Sequence, residues 1–337
     1  MINYVYQLVS PHVFSLDYQD VDFTSEVMVR PRYMAVCHAD QRYYQGQRDA
    51  SILRKKLPMA LIHECCGEVL RDCTGTFQRG QKVVLIPNVP GEDDGMIYEN
   101  YARGSRFLSS GSDGFMREFV NLSPDRIVPY EGVPEPVAAI TEFVSVGVHA
   151  ASRLELLAHS RRESIGIWGD GSLAYVVACV VRRMFPQARI TVIGKNPRKL
   201  ACFTFVHQTC MADMLPPGFS VDHAFECAGG EGSYYAIDDI ITYIRPQGTV
   251  MLMGVSENKV AIRTRDVLEK GLTLVGSSRS GRQDFEKAVS LMENREFQNR
   301  LQYIIYEDWP VRCMKDIQRV FETDLSTPFK TTFRWDM

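Results

Sequence analysis

The chain has 337 residues, 45% of them apolar and 23% charged, with a net charge of -3. At roughly 100–200 residues per domain this describes a two-domain globular protein, and it excludes a general affinity for nucleic acid or anionic membrane. No apolar run reaches the roughly 18 residues of a membrane span, and the start MINYVYQLVSPHVF lacks the basic and apolar regions of a secretory signal.

Up to about residue 130 the sequence is dense in short strand-like runs, EVMVRPRYMAV (26–36), CGEVLRD (66–72), QKVVLIP (81–87) and FMREFVNL (115–122), punctuated by Gly75, Gly80, Pro87 and Pro90. That texture predicts a small β-rich domain. Residues 90–114 are polar and Gly/Ser-rich and are expected to form a long surface loop. A helix follows at 136–157, with apolar residues at mixed three- and four-residue spacing. Strand and helix patterns then alternate from SIGIWG to LTLVGSS, which implies βαβ units and a parallel sheet. RQDFEKAVSLMENREF predicts one more helix and KTTFRW a last strand. The reading is an α/β fold: a β-rich domain over 1–150, a doubly wound nucleotide-binding domain over 151–281, and a return segment, 282–337, completing the first. Nine scattered cysteines without paired spacing point to a reducing, cytoplasmic compartment.

Gly169-Asp170-Gly171-Ser172-Leu173-Ala174 is G-x-G-x-x-A between a predicted strand and helix. Gly169 makes the tight turn, Gly171 admits a pyrophosphate to the backbone, and Ala174 is small enough for helix–strand packing. The helix start, Ser172 and Leu173, offers N–H groups to the phosphates. About 20 residues on, ITVIGKNPRK ends a second strand where an acid usually grips the ribose 2′-OH. Here stand Gly194, Lys195, Asn196, Arg198 and Lys199. Lys195 and Arg198 suit a 2′-phosphate, for which the small Gly194 leaves room, so the expected cofactor is NADPH.

Cys37 and Asp40 in RYMAVCHAD, His63 and Glu64 in LPMALIHECCGEV, and Glu142 in AAITEFVSVGVHA each have an ordinary reading alone. Together a Cys, a His and a Glu would supply three zinc ligands and leave a fourth position open, the catalytic arrangement.

These motifs run in a fixed order: CHAD, HECCGEV, RGQKVV, DGFMREFV, EFVSVGVHA and the glycine turn. In that series the chain resembles the zinc-type medium-chain dehydrogenase/reductase family over nearly its whole length. The resemblance implies a GroES-like catalytic domain, a Rossmann domain and an active-site cleft between them. It implies zinc ligation by Cys37 and His63, with Glu64 and Glu142 competing for the third place and Asp40 orienting the histidine. His38 falls where relatives sometimes hold the cofactor pyrophosphate. Cys65 and Cys66 are expected to pack as small apolar residues.

Three departures stand out. Ile62 replaces the glycine before the histidine, and Ala39 replaces the Ser/Thr hydroxyl of the usual proton relay, which leaves that relay in doubt. The 90–114 loop has no cysteine, so one catalytic zinc and no structural zinc is expected.

Within the family, ADQRYYQGQRD, GIWGDGSLAY, VDHAFECAGG, VLEKGLTLVGSSRSG and DLST resemble the ribulose-5-phosphate reductases, which feed CDP-ribitol synthesis for teichoic acid or capsule. That resemblance implies a sugar phosphate substrate, a homodimer and a complex with a ribitol-5-phosphate cytidylyltransferase. Arg42, Tyr43 and Arg48 suit a phosphate and hydroxyls, with Arg42 the first choice as anchor, and Arg279 is a further candidate for substrate or cofactor. The alternatives are another zinc polyol dehydrogenase, a zinc-free quinone or enoyl reductase, and a non-catalytic NADPH-binding protein.

Overall fold

Short runs rich in Val, Ile and aromatic residues build a six-stranded sheet in the second half of the chain. In spatial order its strands are Gln208–Met211, Arg189–Gly194, Ser164–Trp168, His223–Glu226, Thr249–Leu252 and Thr273–Gly276, all parallel. Numbered along the chain this is 3-2-1-4-5-6, the doubly wound order of a dinucleotide-binding domain. The computed structural model describes residues 2–21 and 26–337. They divide into two units, Met1–Ser145 with Arg279–Met337, and Val146–Ser278.

The helix Ser172–Met184 buries Ala174 and the run Tyr175–Val181, and carries Arg182 and Arg183 in its last turn, where cations complement the helix dipole. None of the described helices is long and apolar enough to cross a membrane.

The other unit is built on a seven-stranded sheet. Its main path runs Ile127–Pro129, Lys82–Leu85, Glu64–Asp72, Val27–Ala35, Lys330–Trp335 and Ile305–Val311, and Val120–Leu122 also pairs with Val27–Ala35. Two registers matter for the site. Ala35 lies opposite Glu64 on one side and opposite Thr332 on the other. The return segment therefore contributes a strand beside Val27–Ala35, within the sheet.

Several elements differ from the sequence reading. The 136–157 helix is two, Glu135–Ala139 and Thr141–Leu157. The helix expected through residue 297 ends at Met292, because Asn294 caps a new helix, Arg295–Tyr303, by accepting the Phe297 N–H. In 115–122 only Val120–Leu122 is strand. The 90–114 segment is not wholly a surface loop. Arg106–Phe107 pairs with Asn88–Val89, and Phe107, Leu108 and Ser109 are buried.

His223 opens the central strand His223–Glu226 and is fully buried. Its Nδ1 accepts the Thr249 N–H at 3.1 Å and its Nε2 lies 3.0 Å from the Arg161 carbonyl, so the ring is neutral with its proton on Nε2. Burial and the neighbouring His159 ring lower its pKa to about 4. The unfolded chain protonates this histidine first, near its ordinary value of about 6.5. Stability it contributes is therefore full above that pH and is lost as pH falls through 6.5 towards 4. His223→Gln should flatten the loss of unfolding midpoint across that window in denaturation series. A variant whose slope matches the parent's would show the ring is not the cause.

Candidate active site

Cys37 follows the strand Val27–Ala35 and caps the helix His38–Tyr44. His63 and Glu64 stand where the chain enters the neighbouring strand Glu64–Asp72. With Ala35 opposite Glu64, the pairing brings these points together. The Sγ of Cys37, a ring nitrogen of His63 and a carboxylate oxygen of Glu64 all lie within 4.8 Å of one another. A cysteine sulfur, an imidazole and a carboxyl group converging from a half-buried and two buried positions form a donor set suited to zinc.

Asp40 lies next to this group. It is fully buried, its Oδ1 accepting the Ile62 N–H at 3.1 Å and the Ser109 hydroxyl at 2.5 Å, and its Oδ2 lying 3.5 Å from His63 Nδ1. With Nδ1 facing Asp40, Nε2 is the His63 nitrogen that a metal ion could take. Burial pushes the Asp40 carboxyl up, but His63, Ser109 and the Ile62 amide outweigh it and hold it below the usual range. Ile62 itself has φ 67°, the left-handed region that β-branched residues avoid. This accounts for the glycine of the resembled family. Ile62 is held there by its N–H to Asp40 and by its carbonyl, which accepts the Phe115 N–H at 2.7 Å.

Glu64 is fully buried, and Oε1 accepts Lys330 Nζ at 2.6 Å. Lys330 also donates to the Val36 carbonyl at 2.7 Å and lies 4.8 Å from the Phe143 ring centre. Oε2 of Glu64 is buried without a hydrogen-bond partner, an orphaned acceptor of the kind a metal ion satisfies. Glu142, 5% exposed in the first turn of Thr141–Leu157, faces the same charges. Burial raises its carboxyl to about 7, with His63 opposing and Glu64 adding to the rise.

Arg279 belongs to this neighbourhood. Its guanidinium stands 4.8 Å over the Phe107 ring, which meets the His63 ring edge-on at 5.2 Å. Burial lowers the Arg279 pKa and Glu142 opposes the shift. Its φ of 59° marks a strained backbone at a junction between the two units. In the helix His38–Tyr44 the Tyr43 hydroxyl is buried without a partner, and two cations share the ring: Arg48 at 4.4 Å and Lys56 at 5.8 Å. Lys56 also donates to Ser110 at 3.1 Å, next to the Ser109 that holds Asp40. Arg42 is half-buried in the last turn of the same short helix. His38 opens that helix with an exposed ring whose pKa is lowered by packing around it and by Arg42 and Arg48. Cys65 and Cys66 are buried, and burial pushes both thiols up, Cys66 to about 12.

The glycine turn lies in the other unit. Gly169 has φ 138°, and a Cβ there would come within 2.9 Å of the Cys227 backbone. Beside Gly171 nothing stands within 4 Å of where a Cβ would be. Gly171 caps Ser172–Met184 without a side-chain acceptor for the first amides, those of Ser172 and Leu173. An open glycine face under a helix start fits a pyrophosphate.

At the next strand end the expected vacancy beside Gly194 is filled. A Cβ on Gly194 would lie 2.6 Å from Asp170 Oδ2, so the glycine makes room for the Asp170 carboxylate and not for a cofactor phosphate. Lys195 is exposed, its ammonium 4.8 Å from the Tyr235 ring centre. Arg198, exposed, and Lys199, half-buried, sit on the short helix Pro197–Leu200, which Asn196 caps through its side-chain oxygen.

Sequence reasoning missed Lys330, Lys56, Ser109, Phe107 and the placement of Asp170. Of these only Asp170, inside the glycine turn, lay in a motif already singled out.

Two family models match: residues 24–134 the alcohol dehydrogenase GroES-like domain, and residues 210–294 the zinc-binding dehydrogenase. The chain is 58% identical over 340 residues to the ribulose-5-phosphate reductase of Streptococcus pneumoniae, covering 100% of this chain and 98% of that one. It is 47% identical over 341 residues to ribulose-5-phosphate reductase 1 of Staphylococcus aureus, covering 100% of both. Among solved structures, S. aureus TarJ in complex with NADPH superposes with a TM-score of 0.89 at 42% identity, covering 100% of both chains.

Proposed function

We propose, for a chain that belongs to the medium-chain zinc-binding dehydrogenase family and is an NADP-dependent oxidoreductase, that its reaction is the reduction of D-ribulose 5-phosphate to D-ribitol 5-phosphate. The observation that carries this reading is the convergence of Cys37, His63 and Glu64 within 4.8 Å, in a chain 58% identical to a ribulose-5-phosphate reductase. One catalytic zinc would be held by Cys37, His63 and either Glu64 or Glu142. The bound groups supply Lewis-acid polarisation of the C2 carbonyl and a hydride from NADPH.

The chain's own residues do the rest. Asp40 fixes the His63 tautomer, and Lys330 balances the Glu64 charge. Where Glu64 holds the metal, Glu142, buried beside it, is the carboxyl left to exchange a proton, since Ala39 supplies no hydroxyl. Arg42, the Arg48 and Lys56 that share the Tyr43 ring, and Arg279 near Glu142 are the cations offered to the sugar phosphate, with the Tyr43 hydroxyl as a buried partner. The reading extends to a cytoplasmic homodimer that hands its product to a cytidylyltransferase for CDP-ribitol, teichoic acid or capsule synthesis.

The test is a steady-state assay with ribulose 5-phosphate and with ribulose, each with NADPH and NADH, before and after chelation. Turnover should require the phosphate, favour NADPH, vanish on chelation and return with added zinc. Turnover untouched by metal removal, or equal rates with ribulose, would overturn the proposal.

A further inference from the structure

Of the three cations at the end of the strand Arg189–Gly194, two, Lys195 and Arg198, are exposed, and charge alone does not rank these two. Their surroundings do. Asp170 leaves the glycine turn and places Oδ2 against Gly194, accepting the backbone N–H groups of both Lys195 and Asn196 at 2.7 Å. The backbone of residue 195 is thereby tied to the pyrophosphate turn itself. The other end of the same residue is held from the helix Gly232–Tyr243: the Lys195 ammonium lies 4.8 Å from the Tyr235 ring centre. Asp239, one turn along that helix, has its carboxyl raised by burial and by Asp238, and the Lys195 charge opposes that rise. Arg198 is exposed on the four-residue helix Pro197–Leu200, and the Asn196 cap engages only its backbone N–H and that of Lys199.

We propose that Asp170 and Tyr235 are positioning residues that hold Lys195 at backbone and ammonium, making it the cation that reads the 2′-phosphate of NADPH. This rests on the NADPH reading above and deepens it. A lysine fixed at both ends loses little freedom when it meets a phosphate, whereas an exposed arginine must be ordered first. The Asp170 carboxylate does not compete for Lys195 Nζ, because the oxygen facing Gly194 is engaged by two amides. It works through an acceptor oxygen, so an amide oxygen in its place should serve.

The probes are adenosine 2′,5′-bisphosphate and 5′-AMP, titrated against the full-length protein by calorimetry. They need neither substrate nor metal. The parent should bind the bisphosphate more tightly, and Lys195→Met should reduce that preference by about 10- to 100-fold. Tyr235→Leu should reduce it by roughly tenfold while Tyr235→Phe restores it. Asp170→Ala should reduce it and Asp170→Asn retain it. In turnover the same variants should raise the KM for NADPH and not that for NADH. Because Tyr235 is 59% exposed, its variants test the idea without threatening the fold.

A parent with no preference for the bisphosphate would sink the NADPH reading itself. A parent that prefers it, with Tyr235→Leu and Asp170→Ala keeping the full preference, would overturn the positioning role alone. So would equal weakening of both probes, which marks a merely structural effect.

Discussion

Cys37→Ser is expected to strip the metal and cut NADPH-linked turnover by about a thousandfold, while NADPH still binds. The size follows from losing Lewis-acid stabilisation worth about 4 kcal/mol, at 1.36 kcal/mol per tenfold. A serine hydroxyl stays protonated at neutral pH and is a poor zinc ligand where a thiolate is a strong one. The fold should survive. At the start of His38–Tyr44 the Cys37 backbone N–H donates to Asp40 Oδ2 at 3.4 Å, a bond that a serine keeps, and serine is a favoured residue at a helix start. Metal per chain, turnover and an NADPH fluorescence titration separate these effects. A serine variant with full zinc and full turnover would end the ligand assignment.

Lys330→Met should produce the largest loss of stability. The substitution leaves Glu64 fully buried with neither its 2.6 Å partner nor water to replace it. Removing one member of such a pair costs about 3–5 kcal/mol, because the remaining charge is stranded. Zinc-stripped protein should show the full loss in denaturation midpoints. Zinc-loaded protein should lose less, because Glu64 can then turn to the metal. Adding Glu64→Gln to Lys330→Met should recover much of the stability without recovering activity. If Lys330→Met alone leaves the midpoint unchanged, the pair is not what holds the strand Lys330–Trp335 to the site.

The sequence disclosed what depends on near neighbours. The glycine turn was readable because strand, turn and helix follow one another within 21 residues, Ser164–Met184. Cys37, His63 and Glu64 were readable as residue types, and the ordered motifs pointed to one family. Lys330 was not, because it meets Glu64 across 266 positions and only sheet register brings them together. Ser109 and Phe107 were hidden by the polar composition of 90–114, where a few buried residues close on Asp40 and His63. Asp170 is in plain view at the x of G-x-G, a position to which the motif assigns no role. Its side chain acts on a strand end 25 residues away, and a backbone motif says nothing of that reach. The helix boundary at Asn294 failed for a simpler reason: the apolar spacing continues across a residue whose side chain starts a new helix.

The strand Lys330–Trp335 lies between Val27–Ala35 and Ile305–Val311. During synthesis the ribosome emits Val27–Ala35, Cys37 and His63 early and their lysine some 300 residues later. At about 5–20 residues per second this is an interval of roughly 15–60 seconds. The unit Val146–Ser278 is continuous and is fully emitted within that interval. The nucleotide-binding half can therefore fold on the ribosome, while Glu64 waits for its counter-charge. On the proposed zinc reading, metal retention is therefore expected late in the life of the chain: a nascent chain stalled before residue 330 should bind adenine nucleotide before it can retain zinc.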